Sequence, residues 1–101
     1  MYAKVYETKY GPMVAVADDN LIGKKLKFGK TEFFVNPRFY KGEPATKAQA
    51  IALLKAAASV NLVGRESVEC GREAGVISQE NILMINKKVP HAQSVVVPEN
   101  Q

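Results

Sequence analysis

The amino-acid sequence predicts an α+β domain, a small antiparallel or mixed sheet built from hairpins with two helices packed on one side of it. Three observations point there. Period-two runs bounded by turn residues occupy both ends of the chain. A threonine-initiated capping box opens a helical stretch in the middle. The 101 residues leave room for one hydrophobic core and no second domain. Hydrophobic residues at 47% and charged residues at 24% are ordinary globular values, which argues against disorder. A single domain over residues 1–101 is expected, with a polar tail from about residue 98.

The elements follow in order. From Tyr2 to Thr8, Tyr2, Lys4 and Tyr6 alternate with Ala3, Val5 and Glu7, a strand pattern. Tyr10-Gly11-Pro12 turns the chain, and Met13 to Ala17 pairs back as a hairpin. Asp18-Asp19-Asn20 is a turn cluster that caps one short helical turn ending at Gly23. A second hairpin joins Lys25–Phe28 to Thr31–Asn36 through Gly29-Lys30, where glycine in the first central position suits a type II′ turn. That turn sets Lys25 opposite Phe34, Leu26 opposite Phe33, Lys27 opposite Glu32 and Phe28 opposite Thr31. Leu26, Phe28 and Phe33 then face the core, while Lys25, Lys27, Glu32 and Phe34 face solvent.

After Asn36-Pro37 and a loop through Lys41-Gly42-Glu43-Pro44, the pattern becomes helical. Thr46-Lys47-Ala48-Gln49 matches a capping box, and Ala48, Ile51, Leu54 and Ala58 form the apolar stripe behind it. A second helix is expected from about Leu62 to Ala74, with Asn61 as its N-cap and Gly75 at C′. Its inward residues are small (Gly64, Ser67, Val68, Cys70, Gly71), and two helical glycines imply a close backbone approach. Ser78-Gln79-Glu80 reads as another capped turn. Ile82–Ile85 reads as a buried strand, Asn86-Lys87-Lys88 as a turn, and Gln93–Val97 as the closing strand.

Composition narrows the function. One cysteine, Cys70, permits no intrachain disulfide and suits a reducing compartment. The N-terminus places Lys4, Glu7 and Lys9 where a signal peptide needs an unbroken apolar run, and no apolar run approaches the roughly 20 residues a bilayer requires. A cytoplasmic protein without membrane association is expected. One Cys and one His cannot furnish a zinc shell, and no calcium-binding loop occurs, so neither a metal nor a cofactor is implied. Cys70 sits among Glu66, Glu69 and Glu73, which disfavours a thiolate, so it reads as a small hydrophobe. The pair Asp18-Asp19 cannot act as an acid–base dyad, because adjacent side chains diverge.

Charge is local. The net charge is +4, yet Lys24, Lys25, Lys27, Lys30, Arg38 and Lys41 face the single acid Glu32, so residues 24–41 carry +5 and the remainder −1. All four phenylalanines lie within or beside this cluster. Lysines that bind phosphates beside an exposed aromatic that stacks a base is the combination used by single-strand binders. The structural reading of the same residues is a solvated edge that blocks aggregation, with Lys27 paired to Glu32.

Two further features have paired readings. His91, the only histidine, titrates near neutrality and, with Gln93, could hold an anion or move a proton; equally it could cap the strand start. Asn61 ahead of Gly64 could be a helix cap, or the helix end could hold a phosphate or carboxylate.

The phrases Ala3-Lys4-Val5-Tyr6-Glu7, Asn61-Leu62-Val63-Gly64 and Val89-Pro90-His91-Ala92-Gln93, in this order and spacing, resemble an archaeal family described as a domain of unknown function, number 424. The resemblance spans nearly the whole chain and implies an archaeal cytoplasmic protein of compact α+β form. It implies no activity and no catalytic residue. Members of that family are often acidic, so the basic hairpin is a local departure.

The favoured expectation is a non-catalytic binding module for RNA or translation-associated partners, using Lys25, Lys27, Lys30, Phe34, Arg38 and Lys41. The alternative is a small-molecule or anion-binding domain, conceivably an enzyme, centred on His91, Gln93 and Asn61, with Gly64 a further ligand-binding candidate. A protein-interaction subunit is the third reading, and the oligomeric state is left open.

Overall fold

In the computed structural model, which describes residues 1–96, the alternating N-terminal run is strand β1 (Tyr2–Thr8), and the run after the first turn is β2 (Gly11–Ala17). They pair antiparallel, Tyr2 opposite Ala17 and Thr8 opposite Gly11. A single 3₁₀ turn (Asp19–Leu21) leads to the basic hairpin, β3 (Lys25–Phe28) and β4 (Thr31–Phe34). Its register is the one the Gly29-Lys30 turn predicts, and Gly29 has φ +61° as a type II′ turn requires.

Asn36 then caps a one-turn helix, α1 (Pro37–Tyr40), ahead of the segment Lys41–Pro44 expected as loop, whose last two residues form a short strand. The Asn36 Oδ1 accepts from the Arg38 amide at 2.9 Å, and Pro37 stands at the first helical position. Next come β5 (Glu43–Pro44), α2 (Lys47–Lys55), β6 (Ser59–Val63), α3 (Arg65–Glu73), β7 (Ile82–Ile85) and β8 (Val89–Val95). The capping box of α2 forms in both directions, Thr46 to Gln49 and back.

The main sheet runs β5-β1-β2-β6-β8-β7, and the basic hairpin is a separate two-stranded sheet. Every neighbour pair is antiparallel except β2–β6, so the sheet is mixed. Strand alternation divides its residues between two cores. Val14, Val16, Val60, Leu62 and Ala92 meet α2 and α3 through Ala50, Leu54, Val68 and Cys70. On the opposite face, Ala15, Ala17, Val63 and Ile85 meet Leu26 and Val35 of the hairpin segment and Tyr40 of α1. The two longer helices therefore share one side, as expected, and the hairpin with α1 forms a second layer.

Several expectations are corrected. The second helix does not begin near Leu62: residues 59–63 are the central strand β6, and α3 starts at Arg65. Asn61 is thus a strand residue and no cap. The helical reading failed because Asn61 offers a local N-cap signal, whereas Val60 and Leu62 are buried on one face of β6 in strand alternation. In α2, Ala48 is exposed and Ala58 lies beyond the helix, so Ala50 and Leu54 carry the buried face. Phe28, expected in the core, is 41% exposed, because the hairpin tip overhangs the sheet. β7 is an edge strand, and its Leu83 and Met84 face solvent. The closing strand begins at Val89; Val97 and the tail from about 98 lie outside the described residues. Among the described residues no helix is long and apolar enough to cross a membrane.

The Asp18 carboxylate does not cap its own turn. Its Oδ1 accepts from the Ser67 amide at 2.9 Å and the Ser67 hydroxyl at 2.7 Å, and its Oδ2 from the Glu66 amide at 3.2 Å. The N-cap position of α3 is Gly64, which has no side chain to offer, so an aspartate from the neighbouring strand end supplies the acceptor. Gly64 has φ +106°, and a Cβ there would fall inside the Asp18 carboxylate, so only glycine fits. At the far end, Gly75 donates to the Arg72 carbonyl and Val76 to the Gly71 carbonyl, the paired bonds of a Schellman motif. Gly71 lets α3 press onto Leu62, the close approach the glycines imply. Replacing Asp18 with alanine strands buried first-turn amides and should lower the unfolding free energy by about 2 kcal/mol in urea denaturation. Asp18→Asn, which keeps one acceptor, should cost less.

Candidate functional site

The sheet face beneath the hairpin and α1 carries three of the residues singled out in the sequence, Asn61, His91 and Gln93. On β6 and β8 the register sets Asn61 opposite Gln93 and Val63 opposite His91. The three polar side chains consequently lie on one face, Asn61 directly across from Gln93 and diagonal to His91. Asn61 Nδ2 donates to Gln93 Oε1 at 3.4 Å, and the buried Tyr40 hydroxyl donates to Asn61 Oδ1. Burial raises the Tyr40 phenol well above its ordinary pKa, which keeps that proton in place at every physiological pH.

Asn61 and Gln93 line an open groove of about 370 Å³ together with Met13, Phe39, Ser59 and Ser94. Phe39 is stacked on Tyr6 at a centroid distance of 5.3 Å and meets Tyr40 edge-on at 4.8 Å. Tyr6 and Lys4 tie down α1 from below, Tyr6 Oη donating to the Phe39 carbonyl at 2.8 Å and Lys4 Nζ to the Arg38 carbonyl at 2.7 Å. The aromatic wall of the groove is thus held by three elements. From the sequence Phe39 has only a place beside the lysine cluster and Tyr40 none, although Asn36 followed by Pro37 is a helix-start signal that sets them on one helical turn.

His91 does not line this groove. Its ring lies against Phe33 of β4, with centroids 4.7 Å apart at 57°, and its Nε2 is buried with no hydrogen-bond partner among the described residues. Burial holds its pKa below the usual histidine value, so the ring is a neutral packing element between sheet and hairpin. The expected convergence of His91 with Asn61 in one cavity is therefore replaced by Asn61 with Gln93. Gly64 is removed from the ligand candidates for another reason: the α3 N-terminus it adjoins is already occupied by the Asp18 carboxylate.

The basic residues occupy the same layer. Lys25, Lys27 and Phe34 share the outward face of the hairpin, where Phe34 is 45% exposed, and Lys30 sits in its turn. Lys27 is opposite Glu32 in register, but the expected ion pair is absent: among the described residues the ion pairs are Met1 with Asp19 and Lys47 with Glu73. Arg38 projects from α1 with an exposed side chain, and the Lys41 ammonium lies over the Tyr2 ring at 5.5 Å. Cys70 is fully buried, and desolvation raises its thiol pKa, as a small packed hydrophobe requires. A larger groove of about 640 Å³ lies at the other side of the sheet, between β5 and α2, walled by Ala3, Val5, Pro44, Ala52 and Leu53. Its walls are mostly alkyl, with Lys4, Glu43 and Gln49 also in its lining.

The His91 environment sets a pH dependence. The unfolded chain takes up a proton as pH falls through about 6.5, and the folded chain resists it, so stability declines on acidification below that value. The urea midpoint should therefore fall between about pH 7.5 and 5.5, and His91→Phe should flatten that dependence.

Comparison with known proteins adds a family and a fold. The family described as Protein of unknown function (DUF424) matches residues 6–97. No curated protein matches. The chain is similar to the crystal structure of an uncharacterized conserved protein from the archaeon Methanopyrus kandleri, with TM-score 0.83 and 20% identity over 97% of this chain and 92% of that one.

Proposed function

The chain belongs to the DUF424 family, and from that premise we propose that it is a non-catalytic binding module for single-stranded RNA. The contact surface is the outward face of the basic hairpin with the adjoining α1. The observation that carries this reading is the division of the hairpin into two faces. Leu26 and Phe33 anchor it on the sheet, and Lys25, Lys27 and Phe34 stand outward together with no carboxylate in ion-pair range among the described residues. Cations spent on internal ion pairs would be poor phosphate ligands, and these are free to release counterions on binding. An exposed phenylalanine between lysines adds a stacking platform that accepts any base. A rigid anchor matters as well, because a preformed surface loses little entropy when it binds.

Fluorescence anisotropy with a labelled oligouridylate tests this directly. Affinity should fall steeply with salt, and Lys25→Gln with Lys27→Gln should flatten the log–log slope by about 1.4, two contacts at roughly 0.7 each. Lys55→Gln on the opposite helical layer should leave the slope unchanged. Absence of salt-sensitive affinity for any RNA would refute the proposal.

A further inference from the structure

We propose that the groove between α1 and the β6–β8 pair is a nucleobase subsite, holding one base on Phe39 and reading its edge with the amides of Asn61 and Gln93. This rests on the RNA-binding reading, which it deepens.

Three observations carry it. The first is a directed chain of hydrogen bonds. The Tyr40 hydroxyl can only donate to Asn61 Oδ1, which turns Asn61 Nδ2 toward Gln93 Oε1 and leaves the Gln93 Nε2 group outermost. Both N–H groups of Gln93 Nε2 and one of Asn61 Nδ2 have no protein partner among the described residues. A half-satisfied amide pair in a strand register, oriented by a buried tyrosine, presents donors beside the free lone pair of Gln93 Oε1. That is the complement of a planar ligand with adjacent acceptor and donor atoms, such as a base edge.

The second observation is the wall. Phe39 lies along the same groove, with Met13 beside it, so a planar ring entering between them meets an aromatic and a polarizable surface while its edge meets the amides. The groove volume of about 370 Å³ is within the range of roughly 300–1,000 Å³ typical of small-ligand sites. The third is position. Gln93 follows His91 by two residues on one strand face, about 7 Å along it, and His91 carries the Phe33 contact that seats the basic hairpin. The groove and the basic hairpin thus lie on the same side of the sheet, and Phe39 of α1 lines the groove.

Two measurements test the subsite. In the first, the side-chain amide signals of Asn61 and Gln93 are followed by ¹H–¹⁵N NMR during titration of the unmodified protein with uridine, cytidine, adenosine and guanosine. At least one nucleoside should shift both signals, and an uncharged abasic ribose should shift neither. In the second, oligonucleotide affinity is measured for Gln93→Ala, an exposed position that leaves the Tyr40–Asn61 bond intact. Binding of the preferred homopolymer should weaken roughly tenfold while an abasic oligonucleotide is unaffected. If RNA binds with full salt dependence but Gln93→Ala is silent and no nucleoside shifts the amides, the subsite is wrong and the hairpin reading stands. If nucleosides shift the amides while no RNA binds, the subsite stands and the hairpin reading falls.

Discussion

The contact on which the rest depends is the Asp18 carboxylate seated on the first turn of α3. Asp18 ends the path out of β2, and Gly64 ends β6, the two parallel strands at the centre of the sheet. Parallel strands bring their C-terminal ends side by side, so a residue leaving one can cap the helix that leaves the other. The Asp18 amide completes the junction by donating to the Val63 carbonyl at 3.1 Å. One side chain thus joins the one parallel pairing among the described residues to the helix layer. It also fixes the end of β6, and with it the position of Asn61 opposite Gln93.

From that junction the sheet acquires two unlike faces. Toward α2 and α3 it presents Val14, Val16, Val60 and Leu62, a dry aliphatic surface. Toward the hairpin it presents Ala15 and Ala17 beside Val63, and Ala15 is the register neighbour of Asn61. Short side chains at this spot give the Tyr40 ring room to lie on the sheet and reach the Asn61 amide. The polar groups of β6 and β8 therefore sit on a face covered by a small layer of hairpin and single-turn helix, at whose margin Gln93 meets solvent. The groove lined by Asn61 and Gln93 opens where the cover stops.

Much of this was legible in the residues. Gly29-Lys30 determines the hairpin register, and with it which lysines share a face with Phe34. Thr46 and Gln49 mark the start of α2 because both capping groups lie within four residues. The largest misreading concerns β6. Asn61 ahead of Leu62 reads locally as a cap before a helix, and the strand state of Ser59 to Val63 is decided by β2 and β8, distant in sequence. With β6 misread, Asn61 looked like a cap and Gly64 like an anion site. The capping role of Asp18 spans 49 residues to Ser67, and no local pattern records it. His91 was a reasonable suspect for its chemistry; its contact with Phe33 belongs to the docking of a separate sheet, which only the tertiary arrangement reveals.

The functional account joins these parts: the lysine face of the hairpin for phosphates, Phe34 and Phe39 for bases, and the amide pair for a base edge, all on one side of the sheet. Photocrosslinking of a 4-thiouridine oligonucleotide followed by mass spectrometry tests that claim most directly. Crosslinks should map to the hairpin and α1, residues 25–41, and to the β8 segment around Gln93. Crosslinks concentrated on α2 and α3, or none above those of an unrelated protein of similar charge, would contradict the account.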